Sequence, residues 1–242
     1  NHAGSNGGAI ATPNNYKNTF FQIEKNTFVN NVAKNKGGAI HISGPQTAAQ
    51  IKDSTFIQNK ASSGGAISIE SSASMQMFNT NGVRNVAEKG DGGFLVAKLA
   101  SPILLSNVNI DASTAEKSGG GGIAVYSSRV ALKQVKIKQC NAGKSGGGGL
   151  LLGGEAEVHM LQCTLEDNQA ESSGGHIQVV ASSLIVHDED VRLTWPSQEP
   201  IFPTPIGLAV DDATSMTTGV ALGSNGGSIS CVASLSNQVF VS

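Results

Sequence analysis

The residues able to do chemistry are few and dispersed. His187-Asp188-Glu189-Asp190 is the densest charged cluster, and grouped carboxylates bind hard cations. It falls at a corner between strands, however, where solvated polar side chains belong in any case. Asp211-Asp212 reads the same way, as a turn. Gly143-Lys144-Ser145 resembles the end of a phosphate-binding loop, but such a loop needs a glycine five residues before Gly143, where Lys138 stands. The five histidines, at 2, 41, 159, 176 and 187, share no spacing on one face, so no zinc site is expected. His41 and His159 fall in outward-facing positions, as solvated imidazoles. Cys140 and Cys163 occupy different columns of adjacent coils, about five strand residues apart, and at ~3.3 Å per residue that is too far for a disulfide. Together with Cys231 they read as buried thiols behaving as small hydrophobes. No catalytic residue, cofactor or metal ligand is assigned.

Composition narrows the class. The chain has 242 residues, 30 of them glycine, and 14% are charged, against roughly 25% in an ordinary soluble domain. Hydrophobic residues make up 39%, too many for a disordered linker. A net charge of -2 supplies no field for a nucleic-acid backbone. There is no apolar run of the ~18 residues a membrane helix needs, and glycine does not recur every third residue as in collagen.

What positions the polar residues is a repeat. Gly-Gly, a small residue and an apolar one occur at Gly7-Gly8-Ala9-Ile10, Gly37-Gly38-Ala39-Ile40 and Gly64-Gly65-Ala66-Ile67. Degenerate copies continue at Gly92-Gly93, Gly120-Gly121, Gly147-Gly148, Gly174-Gly175 and Gly226-Gly227. The second glycines are 27, 28 or 30 residues apart as far as Gly175, and the last step is 52, read as twice 26. Upstream of each pair lies F-x-x-N, clearest at Phe28-Val29-Asn30-Asn31 and Phe56-Ile57-Gln58-Asn59, with Gly82, Ile110, Ile137, Leu165 and Val191 in the Phe column elsewhere. Ala33, Ala61, Ala87, Ala115, Ala142 and Ala170 follow two residues after the Asn column.

The segments around these landmarks alternate with period two, the mark of half-buried strands. Ile40, Ile67, Leu95, Ile123, Leu150 and Ile177 point inward after Gly-Gly, and Ile23, Ile51, Met77, Leu105, Leu132 and Met160 do so before the Phe column. About 27 residues holding two or three short strands predict an all-β, right-handed parallel β-helix of about eight coils. Coils stacked about 4.8 Å apart make a rod ~40 Å long. Glycines at one corner allow positive φ, and asparagines at another form an internal ladder that satisfies backbone groups.

Two further features bear on function. Between the inward positions, Val96, Ala124 and Leu151 on one face and Leu104, Ala131 and Ile185 on another predict an outward apolar stripe, and such patches mark interaction surfaces. The proline-rich stretch from Trp195 to Pro205 reads as a loop inserted at about 195–206, since proline cannot donate into a ladder. Trp195 and Phe202 lie on that loop and join the candidate surface. The coil is expected to resume at Gly207-Leu208-Ala209-Val210.

Gly-Gly-Ala-Ile alternating with F-x-x-N resembles the repeats of chlamydial polymorphic outer membrane proteins, over residues 1 to about 90 by motif and 91 to 180 by column alone. That resemblance implies a β-helical passenger displayed outside the cell, outer membrane-associated if bacterial, with adhesive or structural work. The expected reading is a non-enzymatic surface scaffold making lateral contacts with other protein subunits, flanking segments of its own chain, or a host or surface glycan. Residues 1–242 are read as a single solenoid segment of a longer protein, without nucleic-acid binding or a transmembrane segment. The alternatives are a carbohydrate-active β-helix of lyase or hydrolase type and a subunit of a large extracellular filament or appendage. Against the first, the outward columns carry no acid.

Overall fold

The computed structural model describes residues 1–12, 19–100 and 102–186 in full. Residue 187 and the strands Ser215–Thr217, Val220–Ala221, Ile229–Val232 and Gln238–Val241 are described by their backbone. Among these residues there are strands and no helix, and every strand pairing is parallel. The chain is a parallel β-solenoid. Trp195, Phe202, the 195–206 loop, Asp188–Asp190 and Gly207–Val210 lie outside the described residues.

Each turn visits three sheets. The first is built of two-residue strands such as Lys60–Ala61 and Val86–Ala87, stacked eight deep. The second, also eight deep, holds the strands after each Gly-Gly, Ile40–Ser43 and Ile67–Glu70 among them. The third has 13 strands, because most turns contribute two pieces, as in Arg129–Lys133 and Lys136–Lys138.

Register follows the columns of the sequence. Ile40, Ile67, Leu95, Ile123, Leu150 and Ile177 are successive partners in the second sheet. Ile23, Ile51, Met77, Leu105, Leu132 and Met160 are partners in the third. All twelve are buried in one continuous core. Burying each such side chain contributes about 1.5–3 kcal/mol.

About six turns are complete within the described residues, against the eight coils expected. One coil of the difference lies in the 52-residue step. Ile177 pairs directly with Ile229 and Val179 with Cys231, so residues 175 to 227 make one turn rather than two. The Phe column likewise runs from Leu165 to Met216, not to Val191. Some 25 residues beyond the ordinary period are added inside a single turn, between His187 and Ser215.

The Gly-Gly pair is explained by two separate demands. The first glycine of each pair has φ between 61° and 71°, from Gly7 to Gly174, a left-handed conformation that favours glycine. The second has ordinary φ but no room, because a Cβ on Gly38 would fall on the carbonyl oxygen of Gly65, and one on Gly65 on that of Gly93.

The interior asparagines form the expected ladder. Asn31 Nδ2 donates to Asn59 Oδ1 at 2.9 Å, and Asn59 Nδ2 to Asn85 Oδ1 at 3.0 Å. The same carbonyl oxygens accept the backbone N–H groups of Asn31 and Asn59, so one side chain closes several buried polar groups at once. Ser113 and Cys140 interrupt the ladder, and Asn168 resumes it by accepting from the Cys140 N–H at 3.0 Å.

Volumes are exchanged across the core. Phe28 and Phe56 stack at 4.8 Å with planes 9° apart, and each is followed by alanine after Gly-Gly. In the next turn Gly82 takes the Phe column, and Phe94 replaces the alanine, its ring meeting Phe56 edge-on at 5.9 Å. A Cβ on Gly82 would strike the Phe94 ring. Gly82→Phe alone is therefore expected to destabilise by ~2 kcal/mol or more through overpacking, and Phe94→Ala alone by ~3 kcal/mol or more through a cavity. The double variant restores the Phe/Ala arrangement of the neighbouring turns. Urea unfolding should show it less destabilised than the two changes added together, with a coupling of about 1–3 kcal/mol.

Candidate functional site

The outward face of the second sheet, where sequence reasoning placed an exposed stripe, is covered. Val96 is 2%, Ala124 0% and Leu151 4% exposed, and the three form a second apolar cluster against which Tyr126 packs. The cover is the chain's own corner loop ahead of each Gly-Gly. A Cβ on Gly64 would sit 2.8 Å from Val96 Cγ1, and one on Gly119 2.5 Å from Leu151 Cδ2. Each loop thus lies against the outward residue of the next turn, and glycine lets the backbone itself act as the lid. Leu104, Ala131 and Ile185, outward on the third sheet, are buried too, at 8%, 3% and 6%. The stripe is real as a set of columns and wrong as a surface.

Asp91 ties these loops down. Its carboxylate accepts hydrogen bonds from the Ser118 hydroxyl and, at 3.2 Å, from the Gly119 N–H, and pairs with Lys98 Nζ at 3.4 Å. Lys98 in turn lies 4.7 Å from the centre of the Tyr126 ring. Burial first, and then the Asp91 charge and a hydrogen bond to it, push the Tyr126 phenol well above its ordinary range. Hydroxyl, carboxylate, ammonium and phenol meet here, but every contact of Asp91 fastens a loop or a neighbouring turn.

His41 and His159 are not solvated, contrary to their outward placement in sequence. His41 is 1% and His159 0% exposed. His159 Nε2 lies 2.9 Å from Glu157 Oε1, and Arg129 Nε donates to the other Glu157 oxygen at 3.2 Å. The His159 contact, followed by Arg129, holds Glu157 below the usual carboxylate range. His176 is fully buried inside the solenoid, with Nδ1 3.0 Å from Asn168 Nδ2. Cys140 and Cys163 are buried and not joined in a disulfide. Burial pushes the Cys140 thiol up to about 12, so it holds no nucleophilic thiolate near neutrality. Cys, His and Asn meet in this interior only as packing.

Arg129, Glu155, Glu157, Ser127, Ser128 and Ala100 line a cleft of about 300 Å³ at the corner between the second and third sheets. Its residues come from left-handed corners outside the Gly-Gly period, where Ser127, Gly154 and Glu155 have φ of 46°, 60° and 63°, and so no repeat column pointed to it. Among the described residues, no three His, Cys, Asp or Glu side chains converge as a metal site. No helix there is long and apolar enough to cross a membrane.

Fold and side-chain arrangement together define a repeat scaffold in which side-chain hydrogen bonds and ion pairs join successive turns. Residues 27–43 and 53–70 match the Chlamydia polymorphic membrane protein repeat. No curated protein and no solved structure matches the chain.

The covered stripe makes a prediction opposite to that of an interface. Val96→Asp and Leu151→Asp place a carboxylate in an apolar cluster and should each cost ~3 kcal/mol or more in urea unfolding. An exposed position would move by within about 0.5 kcal/mol. Unchanged stability with altered self-association would return the stripe to the surface.

Proposed function

We propose that the chain is a non-enzymatic structural or adhesive β-solenoid, displayed at a cell surface or outside the cell, where it makes lateral contacts with other proteins. The observation that carries this reading is the match of residues 27–43 and 53–70 to polymorphic membrane protein repeats, set within a solenoid whose ladders continue unbroken past them. Charged side chains support it. Lys36 pairs with Glu70, Lys60 with Glu88, Lys136 with Glu166 and Lys138 with Asp111, each bridging successive turns. Such pairs join one turn to the next, as a structural scaffold requires.

With the apolar stripe inside, contact falls to what is exposed. Phe20 at 65%, Val29 at 42% and Leu99 at 66% are the large hydrophobic residues uncovered among the described residues. Beads coated with the protein are expected to bind cell surfaces saturably. Phe20→Ser with Leu99→Ser should cut that binding severalfold and leave the unfolding midpoint nearly unmoved. Binding no better than that of albumin-coated beads would sink the adhesive reading.

Among the described residues, the cleft with Glu155, Glu157 and Arg129 is a place where the carbohydrate-active alternative can be tested. A glycan and uronate cleavage screen, with and without calcium, separates the two: turnover lost in Glu157→Gln would overturn the non-enzymatic reading. A filament subunit differs from both in forming polymers visible by electron microscopy.

A further inference from the structure

The outer face of the second sheet opens with a polar group buried more deeply than its chemistry favours. His41 stands opposite Ser68, and Ser43 opposite Glu70, on successive turns. His41, Ser43 and Ser68 are all at most 1% exposed. Neither ring nitrogen of His41 has a hydrogen-bond partner among the described residues, and neither does the Ser43 hydroxyl. His41 Nε2 lies 3.5 Å from Glu70 Oε1, and the other Glu70 oxygen accepts from Lys36 Nζ at 2.6 Å.

Lys36 belongs to the corner loop, which a short run of backbone contacts joins to the next turn, Ser63 N–H donating to Asn35 at 3.0 Å among them. Its backbone is bridged to Ser63, Gly37 N–H donates to Ser63 at 3.1 Å, and Gly38 N–H to Gly64 at 3.2 Å. The Lys36–Glu70 pair is the side-chain tie between this loop and the following strand. The charged groups facing the imidazole are Glu70 and Lys36, while its neighbours in the flanking turns, Ala11 and Ser68, are uncharged.

A proton on His41 changes the competition for Glu70. The imidazolium has no water to turn to, whereas the Lys36 side chain is 40% exposed and can be solvated. One carboxylate then faces two cations, and the buried one needs it more. We propose that His41 is a proton-operated release for the corner loop at Lys36–Gly38: protonation draws Glu70 from Lys36 to the imidazolium and frees the loop.

Burial holds His41 below its ordinary value of 6.5; Glu70 draws it back up, Lys36 adds to the lowering, and the net direction is down. With the folded value below the unfolded one, the unfolded chain binds more protons. Stability is therefore full above about 6.5 and falls as the pH drops through the window beneath it.

Hydrogen exchange read by mass spectrometry on the whole chain, at pH 7.5 and 5.5 and corrected for intrinsic rates, tests the release. Exchange at residues 35–38 should rise severalfold on acidification, while the matching loops at Gly120 and Gly147 stay unchanged. His41→Leu should abolish the rise, and leucine is tolerated because Val96 and Leu151 fill the same column in later turns. Lys36→Met should leave the loop open at both pH values. An equal rise in wild type and His41→Leu overturns the proposal, as does no rise in wild type. Should His41→Leu fail to fold, Glu70→Gln gives the same decision: persistence of the acid-induced rise without the carboxylate overturns it.

Discussion

Everything in this molecule depends on one constraint: each turn must present the same backbone cross-section to the next. Hydrogen bonds between turns run parallel and in register through three sheets, so a change of path in one turn breaks pairing in its neighbours. The left-handed corners follow from this. Lys25, Asp53, Asn79, Asn107, Gln134 and Gln162 all bend with φ between 48° and 55°, and a second such column runs from Asn30 through Gln58 and Arg84 to Asp167. None is glycine, and each bend costs about 1 kcal/mol or more. Stacking offsets this, as where Asn107 Nδ2 donates to Asn79 Oδ1 at 2.9 Å and Asn79 Nδ2 to Asp53 Oδ1 at 3.0 Å. Cross-section, not residue type, is what the turns hold in common.

The inward columns were legible in the sequence because two forces act on them together. Ile40, Ile67 and Leu95 must be apolar to enter the core and must also recur at the strand period. The Gly-Gly pair was legible for a similar reason, since positive φ and the missing space for Cβ fall on adjacent residues. The non-glycine corners were not, because asparagine, glutamine, arginine and alanine all adopt the bend once neighbours enforce it. The 52-residue step misled for a numerical reason alone: it is close to two periods, and only strand pairing shows that Ile177 and Ile229 are adjacent.

The candidate surface was misread through a single step, the equation of outward with exposed. In an isolated sheet that equation holds. Here the chain returns over its own second sheet, and glycine-rich loops make the cover. The apolar character of Val96, Ala124 and Leu151 is then ordinary core chemistry in a second, thinner layer. His41, a polar member of the same column, is the exception that calls for explanation, because it is buried by the same loops without the partners its ring nitrogens require. Where apolar residues lie under a loop, water gains nothing by entering. Where an imidazole lies there, its proton competes for the carboxylate that ties the loop down.

The same constraint explains why only residues 27–43 and 53–70 match the family repeat while the solenoid continues. Those two stretches carry Phe28 and Phe56 in the stack and Asn31 and Asn59 in the ladder. Later turns meet the same geometry with other chemistry. Phe and Ala become Gly82 and Phe94, then Ile110 with Gly122 and Ile137 with Gly149, and Leu165 with His176. The asparagine position passes to Ser113 and Cys140 before Asn168 recovers it. A motif scan reads one solution of the packing problem, whereas the fold accepts any set of side chains that fills the shared cross-section and closes its buried polar groups. Contacts run between neighbouring turns, so such substitutions stay local. The solenoid can therefore change its surface, its ionisable groups and the length of one turn without losing the register between its turns.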